Sequence, residues 1–248
     1  MVKRPFTEAG SRPASGPGRF PPAILIALVC MLLVPGCEGD DRIPGVDPSR
    51  THFAIPDRAR LPYFKTRDLE VFWTSDPERI RNEAHTIEEF QFTDQAASPF
   101  GSPQIENKIV VASFFFTRCS GICPALMSRL KQVQSAYLED PDVLILSYSV
   151  TPDIDSPPVL AEYARNRGIR KDRWRLLTGA KTDIYRVARD SFQADTSTRV
   201  DQSLMDFVHS ERIYLLDGQR RLRGVYNGNT PAAFRELIAD IALLKKSG

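Results

Sequence analysis

The chain has 248 residues, of which 42% are hydrophobic and 26% charged, with 33 basic residues against 31 acidic ones. That composition has room for one sizeable globular domain with appendages and excludes a chain that is disordered throughout. It holds only four cysteines and three histidines, so few soft-metal or redox sites can be built from it.

At the N-terminus, Lys3, Arg4, Arg12 and Arg19 precede an apolar run from Ile24 to Val34 that ends in Val34-Pro35-Gly36-Cys37. The run is shorter than the about 20 apolar residues a spanning helix needs. Residues 1–36 therefore read as a secretory signal, and the small residue before Cys37 resembles a bacterial lipobox, which makes Cys37 the expected lipidation site. An uncleaved membrane anchor is the rival reading, and intact mass of the membrane-extracted protein separates the two. Residues 1–36 carry four basic residues and one acidic one, so their removal leaves 29 basic and 30 acidic residues, a net charge near −1. Such a charge gives no reason to expect a nucleic-acid partner. Cys30 would leave with the signal and Cys37 would carry lipid. The remaining pair, Cys119 and Cys123, would in an oxidising compartment be a disulfide, a metal site or a redox couple.

Residues 37–60 are polar and punctuated by Pro44, Pro48 and Pro56, the composition of a flexible tether. A folded domain is expected over 61–248. Leu69 to Trp73 alternates like a short edge strand, and Glu89 to Asp94 reads as a second strand followed by a polar loop with Pro99, Gly101 and Pro103. The run from Ile109 to Phe116 is bulky and almost continuously apolar, as in a central strand covered on both faces. Leu126, Leu130, Val133 and Tyr137 then recur at helical spacing, and Val143 to Val150 is a second buried strand, so the unit is strand, helix, parallel strand. A helix is expected over 157–167 with Gly168 closing it, then a strand from Trp174 to Leu177 and a helix from Asp183 to Asp190. Arg212–Leu216 and Leu222–Tyr226 form a hairpin whose tip, with Arg220, Arg221 and nearby Arg223, reads as solvated. A final helix begins at Pro231. The expected fold is α/β and thioredoxin-like: a central mixed sheet flanked by helices, with an N-terminal extension.

The chemistry concentrates in Phe114-Phe115-Phe116-Thr117-Arg118-Cys119-Ser120-Gly121-Ile122-Cys123-Pro124. A buried strand delivers two cysteines to a helix start, where backbone N–H groups and the helix dipole favour thiolate. Pro124 suits the first helical position, which makes Cys123 the expected N-cap. Cysteines four apart can converge to disulfide distance or present a wide bite to a metal. Two thiolates can hold Cu(I) in a near-linear site, and an added imidazole makes the site three-coordinate. Of the histidines, His52 lies in the tether and His85 in a polar stretch, and both read as solvated. His209 immediately precedes the hairpin, an approach that in such sheets passes beside the cysteine loop. Asp155 reads as the cap of the helix starting around Ser156, with a hydrogen bond near the metal site as the alternative.

Phe114 to Pro124, Ser147 to Pro157, Trp174 to Gly179 and Phe207 to Gly228 together resemble the Sco/SenC family of cytochrome oxidase assembly proteins. The match runs from about Leu61 to the C-terminus, and the family's Cys-x-x-x-Cys-Pro and distant histidine fall on Cys119, Cys123 and His209. The resemblance implies a membrane-tethered thioredoxin-like domain on the outer side of a bacterial membrane. It implies copper, as Cu(I) or Cu(II), held by these three residues and delivered to the binuclear copper site of cytochrome c oxidase. Subunit II of that oxidase or another copper chaperone is then the expected partner, and the chain is expected to be a monomer and not an enzyme. The alternative role is a thiol–disulfide oxidoreductase that reduces the cysteines of the oxidase site. A general thioredoxin is disfavoured, because there is no Cys-x-x-Cys and no proline immediately before the hairpin strand. A peroxiredoxin is disfavoured because no proline stands three residues before Cys119. Two departures from the family pattern, Val208 and Thr151 where many members have acidic residues, are expected to tune metal affinity or partner choice.

Overall fold

The computed structural model describes residues 60–65, 69–119, 121, 123–194 and 211–247. The expected signal, Cys37 and tether residues 37–59 lie outside these residues, as do His52 and His209. Among the described residues no helix is long and apolar enough to cross a membrane.

In chain order, β1 (Tyr63–Phe64) and β2 (Val71–Phe72) pair as a small antiparallel ribbon. Helix α1 (Pro77–Glu83) follows, capped by the Asp76 carboxylate, which accepts from the Glu78 N–H at 2.9 Å. The main sheet then draws on β3 (Gln91–Asp94), β4 (Pro99–Gly101), β5 (Ile109–Phe115), β6 (Val143–Ser149), β7 (Trp174–Thr178), β8 (Arg212–Leu216) and β9 (Leu222–Asn227) in the order β4-β3-β7-β6-β5-β8-β9. The strands β5, β6 and β7 are mutually parallel and the flanking pairs antiparallel. Helices α2 (Cys123–Ala136), α3 (Pro157–Arg167), α4 (Lys181–Arg186, continued by a π turn to Ser191) and α5 (Pro231–Ser247) complete the domain.

Strand β5 sits inside the sheet and is buried on both faces. Val110, Ala112 and Phe114 face a cluster that includes Ile184 and Val187 of the α4 segment, whereas Val111 and Phe115 face α2, α3 and α5 through Leu130, Leu160 and Leu237. The unbroken apolar run reflects this double coverage. Ser113 is the one polar position inside the strand. Its hydroxyl lies 2.8 Å from that of Ser147, which accepts from the Trp174 indole N–H at 2.9 Å, so no polar atom of this trio is stranded.

Helix α3 closes as its sequence indicates: Gly168 has φ +63, a left-handed conformation that glycine adopts without steric cost. Two local expectations are corrected, and one further element, α1, was not anticipated. Helix α1 lacks an apolar stripe and buries no residue, so periodicity gave no signal for it. The stretch from Pro99 to Gly101, expected as loop, is an edge strand, a place where the missing proline N–H is tolerated.

The second correction concerns the hairpin arginines. Arg223 is buried, donates to the carbonyls of Leu61 and Pro62 at 2.8 and 2.9 Å and to Asp217 at 3.2 Å, and lies 3.9 Å from the Tyr63 ring centroid. Arg221 also donates to Asp217, at 2.9 Å, and Arg220 pairs with Glu89 at 3.6 Å. Arg223 thus fastens the start of the domain to the hairpin, Arg221 braces the hairpin turn through Asp217, and Arg220 pairs across to Glu89. Arg223→Ala would leave Asp217 buried with part of its pairing gone, and is expected to cost about 3 kcal/mol in urea unfolding. Faster amide exchange at Tyr63 and Phe64 should accompany it, and an unchanged midpoint would contradict this role.

Candidate metal and thiol site

Strand β5 ends at Phe115, and a short turn carries the chain through Thr117 and Cys119 to Cys123, the first residue of α2. Both cysteines are free thiols, Cys119 half-exposed and Cys123 only 3% exposed. The Cys123 N–H points at the Cys119 sulfur at 3.4 Å, and the two thiols are also hydrogen-bonded to each other. The expected N-cap role is thus displaced by one position. Cys123 opens the helix, Pro124 is the second residue, and the Cys119 sulfur accepts one of the free N–H groups of the first turn, that of Cys123. The pair is poised to close into a disulfide or to face one ion together.

Activation by the helix start does not dominate at Cys123. Burial pushes this thiol from its ordinary 9.0 up to about 12, helped by the hydrogen bond from Cys119 and only partly opposed by the Phe116 backbone. In the reduced protein the folded thiol keeps a proton that the unfolded chain loses above about pH 9. Its stabilising contribution is therefore complete below that pH and is lost as pH rises towards about 12. At pH 8, iodoacetamide is expected to modify Cys119 at least about tenfold faster than Cys123, as read by peptide mass spectrometry. Equal rates would contradict this asymmetry.

Tyr163 of α3 borders the pair. Its ring lies 5.6 Å from Phe115 and beneath the Arg167 guanidinium at 4.6 Å. Burial pushes its phenol up to about 12, Arg167 opposes the shift, and charge on Cys123, Cys119 and Asp155 adds to it.

Asp155 does not cap α3. The N-cap is Ser156, without a side-chain bond, while the Asp155 carboxylate is fully buried and turned to the cysteine turn, where it accepts from the Thr117 N–H at 3.1 Å and from the Thr117 hydroxyl. It also accepts from the hydroxyls of Ser149 at 2.6 Å and Thr151 at 3.1 Å. Thr117 and Ser149 were missed as site residues. The alternation of Ser149 and Thr151 at the end of β6 was the available signal, since the two hydroxyls fall on one side and both donate to Asp155.

His85, expected in solvent, is 3% exposed, with Nε2 2.5 Å from the Ser191 carbonyl oxygen. Its backbone bridges Phe64 and Leu222, at 2.6 and 2.9 Å. It is a packing histidine that ties β1 to β9. Among the described residues no group of three or more His, Cys, Asp or Glu side chains converges as a metal site. His209 lies outside the described residues.

The sheet order, with a cysteine pair at the turn after a central parallel strand, defines a thioredoxin-like domain carrying a two-sulfur site. The sequence profile of the SCO1/SenC family matches residues 78–245, more than half of the chain, and the protein belongs to that family. It resembles a SCO1/SenC family lipoprotein from Bacillus anthracis str. Ames, at 32% identity and a TM-score of 0.57 over 65% of this chain and 95% of that one. BsSco, a member of the Sco family of cytochrome c oxidase assembly proteins in which a disulfide switch is described, is 30% identical with a TM-score of 0.55, over 64% of this chain and 93% of that one. ScoI of Bradyrhizobium japonicum, solved with copper bound, is 25% identical with a TM-score of 0.51, over 63% and 98%.

Proposed function

We propose that this chain is a copper metallochaperone of the bacterial cell envelope, tethered through lipidated Cys37 or an uncleaved anchor. It takes up copper on Cys119, Cys123 and His209 and serves assembly of the copper A site in cytochrome c oxidase subunit II. The observation that carries the reading is the Cys119 sulfur seated 3.4 Å from the Cys123 N–H at the mouth of α2, which brings two soft donors to one place, a pair suited to Cu(I). The copper-bound and oxidase-assembly relatives support the choice of metal and client.

The path of β8 supports His209 as the third ligand. Ser113 of β5 pairs with Ile213 and Val110 with Leu216, so the start of β8 lies beside the end of β5, from which the cysteine turn departs. The Gly228 N–H donates to the Glu211 carbonyl at 2.6 Å, and a Cβ at Gly228 would stand 2.6 Å from both that oxygen and a methyl of Leu126 in the first turn of α2. Glu211 thus lies close to the helix that Cys123 begins. Two residues of extended chain span about 7 Å, a reach compatible with a ligand at position 209.

A half-open site with one exposed sulfur suits transfer, because a partner thiolate can displace Cys119 before the buried Cys123 is released. Copper loading of the reduced full chain should reach one ion per molecule, read by metal analysis, absorption and electron spin resonance. Failure to retain copper through gel filtration would overturn the assignment.

A second role follows from the same contact. As a thiol–disulfide reductase, the exposed Cys119 would attack a client disulfide and Cys123 would resolve the mixed disulfide. Turnover with a model disulfide tests it.

A further inference from the structure

The turn that presents Cys119 is tied to a buried carboxylate of another connection. Within the turn, the backbone bond from the Cys119 N–H to the Phe116 carbonyl is long at 3.4 Å. The stronger anchor comes from across the sheet end. Asp155, on the connection between β6 and α3, takes both the amide and the hydroxyl of Thr117, two residues before Cys119. Bonds to a carboxylate are roughly twice as strong as neutral ones. The other side of the carboxylate is fixed by Ser149 at the end of β6 and by Thr151, and the Asp155 N–H donates to the Thr151 carbonyl at 2.9 Å. One buried group therefore locks the cysteine turn to the end of the neighbouring strand. Helix capping does not explain it, because α3 receives no bond from this side chain.

We propose that Asp155 is a positioning residue for the two-sulfur site: acting through Thr117, it holds Cys119 at the separation from Cys123 that lets both sulfurs face one ion. The inference rests on the reading that Cys119 and Cys123 take copper. Without this link the turn loses its two bonds to a buried carboxylate, and Cys119 would sample positions from which the second sulfur is out of reach. Thr117 is the transmitting group, so its hydroxyl matters and its methyl does not.

The test uses the full chain with three substitutions. Asp155→Asn keeps the volume but places an amide where an acceptor is needed, Thr117→Val removes only the hydroxyl, and Thr117→Ser keeps it. Two quantities are measured: Cu(I) affinity by competition with a chromophoric chelator, and the reduction potential of the metal-free Cys119–Cys123 couple. Asp155→Asn and Thr117→Val should each weaken copper binding by about ten- to a hundredfold and shift the potential. Thr117→Ser should stay within about threefold of the parent, and the double variant Asp155→Asn with Thr117→Val should be no worse than the weaker single, since both cut one link. Unchanged affinity and potential in the single variants, or losses that multiply in the double, would overturn the proposal. If Asp155→Asn does not fold, the contrast between Thr117→Val and Thr117→Ser decides. If Cys119→Ala retains its copper, the copper reading fails by itself, and the potential of the metal-free couple still tests the positioning link.

Discussion

Replacing Cys119 or Cys123 by alanine is expected to lower Cu(I) affinity about a thousandfold or more, equivalent to about 4 kcal/mol. The size follows from the scarcity of soft donors. Cys30 and Cys37 lie far along the chain, in the expected signal and at the expected lipidation site, and no other described thiol can replace a lost one. The two variants should differ in what else they change. Cys119 is half-exposed, and its loss removes one acceptor from the Cys123 N–H with little effect on packing. Cys123 packs with Leu126, Leu130 and Phe115 in the core, so its truncation is expected to cost about 1 kcal/mol of folding stability as well. Chelator competition gives the affinities and urea unfolding separates the stability component. Stoichiometric copper retained when both residues are alanine would refute the sulfur assignment.

The largest stability effect is expected at Phe114. Its ring stands 5.3 Å from Tyr148, 5.5 Å from Phe192 and 6.3 Å from Tyr214, at the meeting of β5, β6, β8 and the end of the α4 segment. Phe114→Ala removes a buried ring from a cluster of rigid neighbours that cannot collapse into the space, with an expected cost of about 3–5 kcal/mol. Against a total stability of about 5–15 kcal/mol, that is enough to lower the urea midpoint sharply. The ring faces away from the side on which Phe115 packs with Cys123, so the fraction that stays folded should still bind one copper. A small shift in midpoint would show that the cavity is refilled, and lost copper binding in the folded fraction would show that the two faces of β5 are coupled.

The elements that sequence patterning located are those whose environment is uniform along their length. β5 and β6 are covered on both faces and read as apolar runs, α3 ends at a glycine in left-handed conformation, and the hairpin alternates around a turn. Short elements without a periodic apolar face were not legible. The edge strand β4 exists because Phe92 pairs with Phe100, and α1 because Asp76 caps it, and neither leaves a periodic pattern. The same distinction runs through the site. Cys119 and Cys123 announce themselves by residue type and spacing, but the bonds of Asp155 to Thr117 join positions 38 residues apart. Spacing to Ser156 made capping the natural reading of Asp155. Likewise Arg223 lies close in sequence to a turn and was read as solvated, whereas its partners Leu61 and Pro62 stand at the far end of the domain's sequence. Burial of the Cys123 thiol depends on Phe115, Leu126 and Tyr163 together, which is why the helix start alone gave the wrong sign for its acidity.

The account turns on one ion shared by two sulfurs and the imidazole of His209, and X-ray absorption at the copper edge of the loaded full chain tests it most directly. It predicts two sulfurs and one nitrogen in the first shell, with the nitrogen lost in His209→Ala and Cu(II) weakened more than Cu(I), because paired thiolates alone satisfy Cu(I). A first shell without sulfur, or an unchanged nitrogen in His209→Ala, would contradict it.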